Sequence, residues 1–216
     1  MNQPIIIFAS GSKDGGGSGF QELVESTYSG ILREVDIVAV VSNHEHGGVA
    51  EKAEKFGISF EYWPGPWDAE GYQKIVEKYN AKWILLSGWL KRVSGLDPQY
   101  TFNIHPGPLP QFGGAGMYGK NIHESVIEAY KKGEVESTAV SMHFVTGEYD
   151  QGPTFFHFPV IIHPDDTAQS LAERVNKIEH AWQPYISNLV IHQKISWDGI
   201  NPSSLVLPEE YELGPR

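Results

Sequence analysis

Apolar residues along this chain fall into two alternating textures. Short runs that are apolar at nearly every position, Ile5-Ile6-Ile7-Phe8-Ala9, Val35 to Val41 and Trp83-Ile84-Leu85-Leu86, read as strands buried on both faces. Between the first two, Phe20, Leu23, Val24, Tyr28, Ile31 and Leu32 recur at helical spacing. Val49, Ala53 and Phe56 mark a second helix closed by Gly57, and Ile58 to Trp63 a short strand broken by Pro64-Gly65-Pro66. Asp68 can cap a third helix with Tyr72, Ile75, Val76 and Tyr79 on one face. A β-capable run from Tyr100 to Ile104 follows, and then a helix carrying Ile122, Val126, Ile127 and Tyr130 and ending at Gly133. Strands at Thr138 to Thr146 and Phe155 to Ile162, and a long amphipathic helix from Thr167 to about His192, complete the pattern. The alternation predicts an α/β protein: a single doubly wound, mostly parallel sheet with helices on both faces, over residues 1–195. Residues 196–216 read as a tail packed on that domain or trailing from it. Ligands of such sheets bind beyond the carboxyl ends of the strands, so the loops at 11–19, 87–93 and 105–119 are expected to gather there.

Composition narrows the class. The 216 residues suit one α/β domain, with 40% hydrophobic and 20% charged residues as in soluble globular proteins. Without cysteine there is no disulfide framework, thiolate zinc site or Cys nucleophile. The N-terminus lacks a basic segment and has too short an apolar run for a signal peptide, and nothing approaches a membrane span, so the cytoplasm is the expected location. A formal charge of −11 argues against a nucleic-acid partner but not against a small anionic substrate, since amides at a helix start can bind phosphate.

Two stretches carry candidate chemistry. In Phe102-Asn103-Ile104-His105-Pro106, residues two apart in a strand share a face, so an amide donor and a group that titrates near neutral pH point the same way. A strand end with a satisfied His reads equally well from these residues alone; the deciding partner is Asp150, in the turn-rich loop Gly147-Glu148-Tyr149-Asp150-Gln151-Gly152-Pro153. The second is Ser10 to Gly19, a Gly-rich loop between strand and helix. It fits neither the Walker A spacing, because Lys13 comes too early, nor the dinucleotide fingerprint, whose third Gly falls on Phe20. It suggests a phosphate cradle, with a flexible loop without ligand as the plain alternative. His123-Glu124 resembles the start of a zinc-protease helix, but Ile127 holds the second His position, so His123 reads as helix surface or packing. His44-Glu45-His46 reads as a solvated loop, His143 as one of several scattered histidines, and no metal site is expected.

Taken together, Asn103-x-His105-Pro106, Leu109-Pro110, Ser141-Met142-His143-Phe144-Val145-Thr146 and Asp150-Gln151-Gly152-Pro153 resemble the folate-dependent formyltransferases. Within these the chain is most similar to the phosphoribosylglycinamide formyltransferases of purine biosynthesis, over Ile5 to about Tyr185. The resemblance implies a Rossmann-like formyltransferase fold, 10-formyltetrahydrofolate as co-substrate and glycinamide ribonucleotide as acceptor. It implies catalytic roles for Asn103, His105 and Asp150. The substrate phosphate would lie on Gly17, Ser18 and Gly19, with Asn176 and Glu179 also contacting the acceptor. The folate would lie against Leu90, Lys91, Arg92 and Val93, Asn103 and Glu148. A cis Leu109–Pro110 bond is implied, small molecules are the only partners, and a homodimer is left open. Three departures stand out: a longer first loop, Ala69 where a basic residue is common, and Gly147 where an acidic one is common.

Formyl transfer from a folate nitrogen to an amine passes through a tetrahedral carbon bearing an oxyanion. Asn103 and a protonated His105 are suitable donors to it, with no metal required. Asp150 is expected to raise the His105 pKa and to help move the proton from the attacking amine. The rivals are formyltetrahydrofolate hydrolase, which uses the same residues with water but usually carries an N-terminal regulatory domain, a formyltransferase for another amine, and a non-catalytic phosphate-ligand-binding protein on this fold. Methionyl-tRNA formyltransferases normally add a C-terminal domain not seen here.

Overall fold

The computed structural model describes residues 2–209. Its elements run β1 (Gln3–Phe8), α1 (Ser18–Ser29), β2 (Val35–Ser42), α2 (Gly48–Phe56), β3 (Phe60–Tyr62), α3 (Ala69–Lys78), β4 (Trp83–Ser87), β5 (Thr101–His105), α4 (Lys120–Lys131), β6 (Ser137–Phe144), β7 (Thr154–Ile161) and α5 (Ala168–Ile191), with a 3₁₀ turn at Pro202–Ser204. One seven-stranded sheet has the order β3-β2-β1-β4-β5-β6-β7. β3 to β5 pair in parallel, and β6 and β7 add on antiparallel. The expected doubly wound sheet is therefore observed.

The all-apolar texture of β1 has its explanation in two cores. Ile5 and Ile7 pack with residues of α1, α2, α4 and α5 on one face, while Ile6 and Phe8 meet Trp63, Tyr72, Ile75 and Trp89 on the other. Local caps agree with the sequence: Asp68 accepts from the Gly71 amide at 2.8 Å, and Gly57 closes α2 with φ 66°. The chain beyond 195 folds back on the domain. Ser196 and Val206 bridge, and buried Trp197 lies 5.7 Å from Phe144, ring to ring. The last residues of the expected tail, 210–216, lie outside the described residues.

Chain order reverses between β1 and β4, since β2 and β3 extend one side of β1 and β4 and β5 the other. The loops leaving these two strands diverge there and open a crevice. The crevice holds about 610 Å³ and is lined by parts of all three loops expected to gather, together with α5.

Candidate functional site

β5 delivers Asn103 and His105 to this cleft, both lining it as their spacing requires. Its antiparallel pairing sets Asn103 opposite His143 on β6, and the Asn103 amide nitrogen lies 3.1 Å from His143 Nε2. His143 Nδ1 lies 2.8 Å from the Phe144 carbonyl, which can only accept, so Nδ1 carries the proton. The same logic places a proton on His105 Nε2, 2.7 Å from the Phe112 carbonyl.

Asp150 enters from the loop after β6, in a left-handed conformation with φ 53°. One carboxylate oxygen lies 3.3 Å from His143 Nε2. The other accepts from the Gly114 amide at 2.8 Å and lies 3.8 Å from His105 Nδ1. Two glycines allow this approach. A Cβ at Gly152 would overlap the Phe144 carbonyl, and one at Gly113 would sit 3.1 Å from the Asp150 Cβ. The loop after β5, which meets Asp150 through Gly113 and Gly114, carries a cis Leu109–Pro110 bond, as the resemblance implied; Gly65–Pro66 is also cis.

The electrostatics correct one expectation. Burial holds the His105 pKa below its usual 6.5, outweighing Asp150 and the Phe112 carbonyl, which act to raise it. His105 is only 4% exposed, and at 3.8 Å the carboxylate is beyond hydrogen-bond length. For Asp150, burial works to raise the pKa, but His143, His105 and the Gly114 amide together hold it below the usual range. His123 is buried packing in the first turn of α4, pushed down to about 4 by burial and then by His105.

At the other end of the cleft, Gly17 caps α1 in the left-handed region and supplies no side chain to its first amides. The lengthened loop folds on itself, the Ser12 amide donating to the Gly15 carbonyl at 2.9 Å, which leaves Lys13 and Asp14 exposed at the tip. Gly19 packs so closely under β4 that a Cβ there would overlap Ser87 Oγ. Ser87 in turn donates to Gln183 Oε1 at 3.1 Å. Asn176 and Glu179 line the cleft from α5, 3.4 Å apart. Burial pushes the Glu179 carboxyl up to about 7, with only the Asn176 amide acting against it.

Past Asn103 a smaller hollow lies beneath Leu86, Trp89, Val93, Val145 and Tyr149, with Lys91, Arg92 and Glu148 also lining it; Leu90 faces the main cleft. Ala69 is packed under Gly95. Sequence reasoning missed His143, Ser87 and Gln183. The role of His143 appears only once β5 is paired against β6, which sets it opposite Asn103, and Ser87 and Gln183 are brought together across 96 residues; for none of the three did the sequence carry a local signal.

A strand-end Asn and His beside a loop Asp, at the switch point of such a sheet, is the arrangement that the resemblance to the formyltransferases implied. The family profile described as formyl transferase matches residues 4–187, and the chain belongs to that family. Within it the chain belongs with the phosphoribosylglycinamide formyltransferases. It is 32% identical over 209 residues to the chloroplastic phosphoribosylglycinamide formyltransferase of Arabidopsis thaliana, covering 91% of this chain and 68% of that protein. To the corresponding protein of Vigna unguiculata it is 31% identical over 208 residues, covering 91% of this chain and 64% of that one. The chain thus spans about two thirds of the length of these relatives. The solved phosphoribosylglycinamide formyltransferase from Anaplasma phagocytophilum superposes with a TM-score of 0.76 at 26% identity, covering 99% of this chain and 98% of that one.

Proposed function

We propose that this chain transfers the formyl group of 10-formyltetrahydrofolate to the primary amine of glycinamide ribonucleotide. The observation that carries the reading is that Asn103 and Asp150 line both hollows, so the candidate reacting groups stand where two ligands would meet. The smaller hollow, walled by Leu86, Trp89, Val93 and Val145, holds about 50 Å³; it offers an apolar wall for the edge of the folate ring, with the rest of the folate lying outside it. When bound, the folate supplies the formyl carbon. The larger cleft offers amides at the start of α1 for a phosphate, and Asn176 and Glu179 for the rest of the acceptor. Ile104, His105 and Pro106 line the cleft between these ends.

The Asn103 amide is the standing donor for negative charge developing on the formyl oxygen. His105, neutral at rest, joins it once Nδ1 has taken up a proton. Asp150, held ionised and 3.8 Å from that nitrogen, is the group that receives the amine proton; a bridging water carries it on to Nδ1, and it reaches the leaving folate nitrogen as the tetrahedral carbon collapses. Holding both reactants in one cleft supplies much of the remaining acceleration.

The test is turnover of 10-formyltetrahydrofolate with and without glycinamide ribonucleotide, followed by absorbance of the folate product, for wild type and Asp150→Asn. Wild type should turn over only with the acceptor present. The variant should fold and bind but lose roughly 10²–10⁴ in kcat, with a much smaller change in KM. Turnover without acceptor would identify a hydrolase. Binding of both ligands without turnover by either protein would identify a non-catalytic binder.

A further inference from the structure

Arg92 belongs to the segment that the resemblance assigns to the folate, yet its guanidinium is already engaged within the protein. Nε and Nη2 donate to the Gly147 carbonyl at 2.9 and 2.8 Å, and Nη2 lies 2.6 Å from Glu148 Oε1. Its main chain is held from the opposite side. The Arg92 carbonyl accepts from the hydroxyl of fully buried Tyr72 at 3.0 Å, and that hydroxyl accepts from Trp89 Nε1 at 2.8 Å. One residue therefore ties a rigid aromatic cluster beside β4 to the loop that ends in Asp150.

That loop has little else to hold its middle. Its far end is fixed, with Gly152 closed against the Phe144 carbonyl and the Phe144 amide donating to Pro153 at 3.1 Å. Around Gly147 there is open space where a side chain would stand. Among the described residues, the other polar tie on 147–149 is a 3.4 Å contact from Thr146 Oγ1 to the Glu148 carbonyl. The Arg92–Glu148 ion pair is exposed at both ends, 54% and 72%, so by itself it contributes little to global stability. A fork onto a main-chain carbonyl acts differently, because it fixes a peptide group three residues before Asp150.

We infer that Arg92 is a positioning residue: its guanidinium clamps the Gly147–Glu148 backbone and thereby sets Asp150 against His105 and His143, rather than serving as a contact for the formyl donor. This rests on the formyl-transfer reading only for its kinetic consequence; the clamp itself is readable in the unliganded protein.

The experiment compares wild type, Arg92→Met and Arg92→Lys. Arg92 is exposed, so neither substitution opens the core. Hydrogen–deuterium exchange of a peptide spanning 146–152 should speed up about tenfold in Arg92→Met, as expected for losing a charge-assisted bond at a partly exposed site. With donor and acceptor, kcat should fall by roughly ten- to a hundredfold, the effect of a displaced catalytic group, while both KM values stay within about threefold. Arg92→Lys keeps the charge but not the fork, and should lie nearer the Met variant than wild type in both measurements. A formyl donor lacking the glutamyl tail should show the same fall in kcat. Unchanged exchange or unchanged kcat overturns the inference. So does a full rescue by Lys, or a loss confined to KM for the glutamylated donor, which would make Arg92 a ligand contact. If wild type turns over no acceptor, the functional reading fails, and the exchange measurement still decides the clamp.

Discussion

Glu179 and His123 should oppose one another in the pH dependence of stability, and removing one should expose the other. Burial raises the Glu179 pKa from 4.5 to about 7 and lowers that of His123 from 6.5 to about 4. Each shift is worth about 3 kcal/mol at 1.36 kcal/mol per unit. For Glu179, with the folded value raised, the stabilisation is fully present below pH 4.5 and is lost as pH rises through about 7. For His123, with the folded value depressed, it is present above pH 6.5 and is lost as pH falls through about 4. Between these limits the two slopes nearly cancel. Glu179→Gln removes the falling branch, so its stability should rise with pH relative to wild type, by about 3 kcal/mol from pH 4.5 to 7. In a protein of this size that is roughly 6–12 °C in Tm. Urea denaturation of both proteins at pH 4.5, 5.5, 6.5 and 7.5 gives the difference curve, in which all other carboxylates and histidines largely cancel. A difference that stays flat within about 0.5 kcal/mol, the ordinary scatter of independent sites, would refute the reasoning and mean that Glu179 ionises in the cleft much as it does in water.

Two further substitutions follow from packing. Gly19→Ala should lose about 1–3 kcal/mol, the usual cost of overpacking, because its methyl overlaps Ser87 Oγ, and should raise KM for the phosphate-bearing acceptor more than it lowers kcat; unchanged kinetics would dissociate the α1 start from the acceptor. Trp197→Ala should lose about 3–5 kcal/mol in urea titration, as for a core aromatic, since Trp197 is 7% exposed and packed on Phe144; a loss under about 1 kcal/mol, the range of surface sites, would make residues beyond 195 a mere appendage.

Most of the fold was legible because it rests on local texture. Unbroken apolar runs specify strands covered on both faces, and the two cores on either side of β1 are what those runs require. Asn103 and His105 were legible for the same reason, a period of two within one strand. Asp150 depended on recognising a combination, because a carboxylate in a Gly-rich turn carries no local mark of function. His143 was missed because its role is set by antiparallel register, which appears only once β5 and β6 are paired. Ser87 and Gln183 meet across the cleft floor through tertiary packing alone. The stretch beyond 195 was expected only as a tail; its bridge from Ser196 to Val206 and the burial of Trp197 depend on the surface it folds against.

His105 is where sequence and structure differ in sign, and the difference alters the mechanism. A neighbouring carboxylate favours the imidazolium, which is all a sequence motif can convey. The structure adds that the ring is buried and that Asp150 is shared, closer to the Gly114 amide at 2.8 Å and to His143 at 3.3 Å than to His105 at 3.8 Å. Burial then prevails, and His105 rests neutral at physiological pH with its proton on Nε2, committed to the Phe112 carbonyl. A pre-formed cation is therefore not the resting donor. The free Nδ1 lies 3.8 Å from Asp150, so the proton that turns His105 into a donor can come from the attacking amine, through the carboxylate and a bridging water, as negative charge develops on the formyl oxygen, and then leaves with the folate nitrogen. Charge and counter-charge then appear together within a buried site, which avoids the cost of holding an imidazolium there beforehand. On this account activity should persist well above pH 6.5, where a mechanism needing a pre-protonated His105 would already be failing. A kcat that declined with a midpoint at or below 6.5 would return the imidazolium to the resting enzyme and overturn this sequence of proton transfers.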